Sequence, residues 1–289
     1  MNKVCEGNII WLASYPKSGN TWTRIFLHTL KTGSPLESLS EIESTDGISS
    51  SRIQIDRYLG ADSMDLSFGD IRKLKQQIFI KWSNKIQEPA IVKTHEKPFA
   101  FGQKIIPHEA TKKVILIVRN PFDMIASYSN HMGISLNKSV RAICSDVNML
   151  AASRKKGLNQ VEQHIGSWSS YINEWQNTFG QNVLLIKYEE LKKAPFNTFK
   201  NLVKFLNWKH SDDEIQTAIK NSDFQKIKAL ENDAGFVEKS SKSPLFFRTG
   251  KSGGWRTELT KEMTETLIDK NYNKLIELKY IDKERNIII

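Results

Sequence analysis

Four short apolar runs, each followed almost at once by a polar cluster, constrain this chain more than any other feature. They are Asn8–Ala13, Ala90–Val92, Val114–Val118 and Val183–Ile186. Patterns of helical period lie between or after them. Trp22, Ile25, Phe26 and Leu30 share one helical face just past the first run. Phe122–Met132 is opened by Asn120 as a cap and by Pro121 at the first helical position. Val161–Phe179 carries Ile165, Trp168, Ile172, Trp175 and Phe179 at alternating spacings of three and four. Asn197–Leu206 follows Pro195, and a further pattern runs from Lys261 to Leu278. Runs apolar throughout read as strands covered on both faces. Alternation with helices predicts an α/β fold with a central parallel sheet flanked by helices. At 289 residues and 39% apolar content, the chain is expected to form a single domain over residues 1–289.

The polar clusters are more specific than the runs. After the first run come Lys17-Ser18-Gly19-Asn20-Thr21, after the second Lys93-Thr94-His95, after the third Arg119-Asn120-Pro121, and after the fourth Tyr188-Glu189-Glu190. Ligands of open α/β sheets bind at the carboxyl ends of the strands. Parallel neighbours would therefore gather two lysines, an arginine, a histidine and several hydroxyls into one crevice suited to a multiply charged anion. The first cluster joins a strand to a helix start through a small polar turn, a common way to hold a phosphate. It is not the G-x-x-x-x-G-K-[ST] nucleotide loop, because its lysine precedes its glycine. Thr32–Ser51 and Leu230–Pro244 are polar, show little periodicity, and read as loops over that crevice, in the manner of lids or substrate loops.

The net charge of +10 points to an anionic partner: nucleic acid, an acidic membrane surface or a highly charged small ligand. The basic residues are scattered, many on amphipathic faces such as Leu191-Lys192-Lys193, which also suits a solvated surface. Cys5 and Cys144 stand far apart in no metal-ligand spacing, so structural zinc is not expected and a reduced, cytoplasmic setting is. No apolar run approaches the roughly 20 residues of a membrane span, and no secretory signal is read at the start.

Four stretches together resemble the soluble sulfotransferases, which use 3′-phosphoadenosine 5′-phosphosulfate (PAPS) as sulfuryl donor. Tyr15-Pro16-Lys17-Ser18-Gly19-Asn20-Thr21-Trp22 resembles the family's 5′-phosphosulfate loop. Arg119-Asn120-Pro121-Phe122-Asp123, with Ser127 eight residues after the arginine, resembles its 3′-phosphate motif. Lys93-Thr94-His95 resembles the segment with the catalytic histidine. Arg248-Thr249-Gly250-Lys251-Ser252-Gly253-Gly254-Trp255-Arg256 resembles its C-terminal R-K-G-x-x-G-D-W-K motif. The stretches come in family order and cover most of the chain. There are departures. Asn20 stands where many animal members have threonine. Glu96 and Lys97 stand where animal cytosolic members commonly have Leu-Pro, which alters the acceptor-side wall. Thr249 replaces a lysine, and Gly254 an aspartate, so that turn must be held otherwise.

The resemblance implies roles that agree with the chemistry of the residues. Backbone N–H groups from Ser18 to Trp22 at a helix start suit the donor's 5′ end, and Gly19 allows close approach. Lys17 stabilises charge on the leaving phosphate, with Lys93 beside it. Arg119 offers a planar fork to the 3′-phosphate, with the Ser127 hydroxyl as second donor. Trp22 and Phe224 sandwich the adenine, Phe224 lying in Asn221-Ser222-Asp223-Phe224, which resembles the family's adenine segment. Tyr188 meets the adenine edge, and Arg248-Thr249-Gly250 completes the phosphate contacts. Of the six histidines, His95 is the candidate general base, because it follows a strand and sits beside Lys93. His131 is assigned no role. No metal is required, since lysine, arginine and backbone donors supply the electrostatic stabilisation.

The expected activity is sulfuryl transfer from PAPS to a hydroxyl or amine of a small-molecule acceptor, such as a secondary metabolite. A glycan or glycolipid acceptor is the alternative. Two other classes match the residues less well. A nucleotide kinase needs a phosphate loop with a magnesium-binding hydroxyl; Gly250-Lys251-Ser252 supplies only the tail of one, and no strand feeds it. A nucleic-acid-binding module would suit the charge, but no helix-turn-helix, zinc or RNP pattern is present. No stable membrane insertion is expected, and the sequence leaves the oligomeric state open.

Overall fold

The computed structural model describes residues 5–44, 47–152, 159–236, 238–239, 245–247, 250 and 252–289. At its centre is a four-stranded sheet of β1 (Ile9–Ser14), β2 (Ala90–Thr94), β3 (Thr111–Val118) and β4 (Val183–Lys187). All neighbours are parallel and the order is β2-β1-β3-β4. Each of the four apolar runs is a strand of this sheet. β2 continues through Lys93 and Thr94, and β3 begins at Thr111. Polar residues at strand ends join the ladder through their backbone, and hydropathy does not register that.

Every residue of β1 is buried. Ile9, Trp11 and Ala13 pack into one core with Trp168, Trp175 and Leu267. Ile10 and Leu12 pack on the opposite face with Phe26, Leu30 and Leu206. Alternate side chains of a strand point to opposite faces, so a strand apolar at every position needs helices on both sides. Those helices include α1 (Asn20–Thr32), α2 (Phe68–Lys85), α3 (Pro121–Met132), α4 (Trp168–Phe179), α5 (Pro195–Leu206) and α7 (Lys261–Glu277), while α6 (Phe224–Ala234) packs through Ile227 in a separate cluster with Ile25 of α1.

Two expectations need correction. The helix expected over Val161–Phe179 begins only at Trp168. Gly166 sits at φ 61, and the Ser167 side chain caps the helix by accepting from the Ser170 N–H. Before that break, Gln163–His164 pairs with Met149–Leu150 as a short antiparallel ladder. Val161 and Ile165 are core residues outside any helix, so their spacing matches the helix without belonging to it. The segment Thr32–Ser51, expected as a loop over the crevice, also contributes to the core. Its Leu36, Leu39 and Ile42 form a third apolar cluster with Ile25, Ile227, Phe236 and Phe247. In Leu230–Pro244 the first residues, through Ala234, are the end of α6, while residues 240–244 lie outside the described residues.

The register aligns the carboxyl ends of the strands. Leu12 pairs with Lys93, Ser14 with Ile117, and Val118 with Lys187. The chain steps from β1 to one side at β2 and to the other at β3, so the strand order reverses at β1. That is where open α/β sheets place their ligands.

Candidate active site

The loop after β1 is built for close backbone approach. Lys17 has φ 70, uncommon for a residue with a side chain, and Gly19 has φ 108. A Cβ on Gly19 would stand 2.7 Å from Cδ2 of Tyr188, so glycine is required twice over, by conformation and by space. Helix α1 starts directly behind it with no acidic residue in its first turn, leaving the positive end of the helix dipole for an external anion. The Asn20 amide donates to the Leu12 carbonyl (3.0 Å) and to Ser14 Oγ (3.1 Å). Both of its N–H groups tie the loop to β1, so a phosphate contact at this position falls to the backbone. The Ser18 hydroxyl is likewise turned inward, onto Met124 Sδ at 3.4 Å.

Lys17 Nζ stands 3.4 Å from the centroid of the Phe246 ring, a cation–π contact. Burial, and then the nearby Lys93 charge, lower its pKa to about 7. A buried ammonium that gives up its proton so readily favours an added anion.

At the end of β2, the segment at Gly47–Ser49 runs alongside Lys93. Lys93 N donates to the Gly47 carbonyl (3.1 Å), and Ser49 N donates to that of Lys93 (2.9 Å). The Lys93 ammonium donates to Glu238 at 2.5 Å. Two residues on, His95 Nδ1 donates to the Ser14 carbonyl at 2.7 Å. Burial and the Lys93 charge push the His95 pKa down to about 3, so the imidazole is neutral at physiological pH. The Glu96 departure has a structural explanation. Glu96 is buried and accepts from Lys75 of α2 with both oxygens at 2.7 Å, and Lys75 also donates to the Glu162 carbonyl. This braces the turn that carries His95.

At the end of β3, the guanidinium of Arg119 lies 4.4 Å from the centroid of the Tyr188 ring, and its NH1 donates to the Lys17 carbonyl at 3.4 Å. Trp168 of α4 donates to the Arg119 carbonyl (3.0 Å), which couples the core to the site. Asn120 caps α3 through the Asp123 N–H and donates its amide to Glu189 at 2.7 Å. Asp123 accepts the Gly253 N–H at 2.8 Å and the Trp255 N–H at 3.4 Å. That carboxylate holds the turn in which Gly254 departs from the family pattern.

These ends open on one cavity of about 670 Å³. Lys17, Gly19, Asn20, Thr21, Trp22, Lys93, His95, Arg119, Ser127, Tyr188, Phe224 and Gly250 all line it. A Cβ on Gly250 would meet the Phe224 ring at 2.8 Å. Ser18 and Ser222 do not line the cavity with their side chains. Both are fully buried, and the Ser222 hydroxyl donates to the Ile219 carbonyl at 3.1 Å. Arg248 and Thr249 lie outside the described residues. Sequence reasoning missed four participants. Asp123 stood inside a quoted motif without a role. Phe246 and Glu238, which line the cavity, and Arg24, which does not line it but holds Glu238 from behind, carry no local pattern that separates them from ordinary helix or loop residues. His131, left without a role, lines the cavity too, and burial followed by the charges of Lys17 and Lys93 lowers its pKa to about 4.

Among the described residues, no group of three or more His, Cys, Asp or Glu is placed to hold a metal ion. Nor, among those residues, is any helix long and apolar enough to cross a membrane.

Comparison with known proteins agrees with this arrangement. The family model described as a sulfotransferase domain matches residues 8–279. Flavonol 3-sulfotransferase of Flaveria bidentis is 27% identical over 282 residues, covering 91% of this chain and 80% of that protein. Sulfotransferase 2A1 of Rattus norvegicus is 28% identical over 268 residues, covering 91% and 82%. Among solved structures, a mouse sulfotransferase complexed with PAP superposes with a TM-score of 0.58 at 21% identity, over 93% of this chain and 84% of that one. Retinol dehydratase in a complex with retinol and PAP superposes with a TM-score of 0.60 at 17% identity, over 98% and 84%. With strand order, site position and family model in agreement, the chain belongs to the sulfotransferase-domain family.

Proposed function

We propose that this chain transfers a sulfuryl group from PAPS to a hydroxyl or amine of a small-molecule acceptor. The observation that carries the reading is the convergence of Lys17, Lys93 and Arg119 with a neutral His95 on one cavity at the carboxyl edge of the sheet. The residues present suit the donor. A helix start free of acidic residues faces the 5′ end, Arg119 and Ser127 stand for the 3′-phosphate, and Trp22, Tyr188 and Phe224 supply aromatic surface for a base. Bound there, the donor supplies an activated sulfuryl group with a bisphosphate leaving group.

The chain's own residues do the rest. His95 Nδ1 is held by the Ser14 carbonyl, so Nε2 is the atom that takes the acceptor's proton as the acceptor attacks. Lys17 takes up the charge that grows on the leaving phosphate, and that charge in turn favours its ammonium form. Arg119 and the loop amides hold the nucleotide in line. The acceptor reading is supported by relatives named for flavonols and luciferin, and by neighbours solved with retinol or androsterone.

The test is calorimetry with the bisphosphate product PAP without magnesium, followed by donor-saturated assays across phenols, alcohols, amines and sugars. Binding of PAP and transfer to at least one small acceptor are expected. Stabilisation by Mg-ATP in place of PAP would overturn the reading in favour of phosphoryl transfer.

A further inference from the structure

Glu238 lines the cavity between Lys93, which lines it too, and Arg24, which stands behind. One carboxylate oxygen accepts from the Arg24 guanidinium and the other from Lys93 Nζ at 2.5 Å. The three side chains are 7%, 8% and 9% exposed for Arg24, Glu238 and Lys93. Burial opposes a charge on Glu238, but Lys93 and Arg24 hold its carboxyl well below the usual carboxylate range. Arg24 rises from α1, directly behind the phosphate-holding loop, and its NH2 is anchored on the Ile42 carbonyl at 3.0 Å. Lys93 is two residues from His95 and close enough to Lys17 to lower its pKa.

A guanidinium and an ammonium facing one pair of oxygens make an oxyanion subsite. A sulfuryl group presents oxygens spaced much like those of a carboxylate. On the donor reading above, on which this inference rests, that group must lie between Lys17 and His95, within reach of Lys93. Two anions then draw on the same cations. We propose that Arg24 and Lys93 form a subsite for the transferring sulfuryl group, and that Glu238 is a built-in carboxylate competitor for it.

The arrangement has a physical reason. Arg24 and Lys93 are like charges in a poorly solvated space, and cations buried without a counter-charge destabilise a fold. Glu238 offsets them. The same offset opposes the donor, whose negative charge meets the carboxylate at close range. Glu238 therefore stabilises the folded chain and weakens donor binding, two effects of opposite sign. A carboxylate that only held its loop in place would support both.

The experiment is calorimetric titration of PAPS and PAP, without acceptor, into the wild-type chain, E238Q and E238Q/R24Q, with thermal unfolding of each. PAP carries the nucleotide and both phosphates but no sulfuryl group. In E238Q, PAPS is expected to bind about tenfold tighter or more, with a smaller gain for PAP and a lowered melting temperature. In E238Q/R24Q the extra gain for PAPS is expected to disappear. E238A takes the place of E238Q should the latter not fold. Unchanged or weaker PAPS binding in the 238 variant overturns the proposal, as does an equal gain for PAP and PAPS. Retention of the full gain in the double variant removes Arg24 from the subsite. If neither nucleotide binds the wild-type chain, the donor reading itself fails.

Discussion

The imidazole Nδ1 of His95 lies 2.7 Å from the carbonyl oxygen of Ser14, the last residue of β1. A carbonyl only accepts, so Nδ1 carries the proton and Nε2 keeps its lone pair. The sheet itself thereby sets the tautomer of the proposed base, because Ser14 and the end of β2 are neighbours across the β1–β2 ladder.

His95→Ala is expected to lower turnover by about 10²–10⁴ while leaving PAP affinity nearly intact, since no donor contact is assigned to the imidazole. The pH profile adds a sharper test. Burial and the Lys93 charge push the His95 pKa down to about 3 in the ligand-free protein, so the acid limb of kcat/KM, which reports the free enzyme, belongs well below the ordinary imidazole value near 6.5. A kcat/KM profile falling with an apparent pKa near 6.5 would show that the base is not this buried ring.

Lys17, with its pKa lowered to about 7, is largely neutral at pH 8. Phosphate groups brought beside it favour the ammonium, so PAP binding at pH 8 is expected to take up close to one proton. Calorimetry in two buffers of different ionisation enthalpy measures this directly. Lys17→Met should abolish the uptake and damage turnover beyond any loss of affinity. Full turnover at saturating donor would leave Lys17 a binding residue only.

Arg119→Ala removes a charge-assisted contact together with the stacking on Tyr188. A loss of roughly 1.5–3 kcal/mol in PAP binding is expected, about ten- to a hundredfold. Affinity equal to wild type would take Arg119 out of the nucleotide site.

Folding stability is expected to fall as the pH is lowered from about 6.5. His95 and His131 are held neutral with pKa values of about 3 and about 4, burial being the first cause in each. Both values lie below the unfolded value near 6.5. Between these limits the unfolded chain binds more protons, so the contribution of the two histidines is fully present above pH 6.5. It is lost toward pH 3, at up to about 1.4 kcal/mol per pH unit for each histidine. Urea unfolding at pH 7, 6 and 5 reads the slope. Replacing both histidines with glutamine should flatten it, and an unchanged slope would place the acid sensitivity elsewhere.

The sheet, its parallel sense and the edge that carries the site were legible in the sequence, because they arise from local pattern. A strand apolar at every position, as in Ile9–Ala13, must be covered on both faces, and a polar cluster at its end has only that edge to occupy. Lys17, Gly19, Lys93, His95 and Arg119 reach one cavity for the same reason, each standing at or shortly after a strand end. Tertiary structure alone decided what surrounds them. Asn20, suited by type to a phosphate, spends its amide on β1 because the loop folds back on its own strand. Glu96, read only as a change in the acceptor wall, is the buried partner of Lys75, which is 21 residues away in sequence. Glu238 meets Lys93 across 145 residues and Arg24 across 214. Hydropathy and helical period record only what neighbours along the chain share, and the charge balance of a site depends on which distant groups the fold brings within a few ångströms.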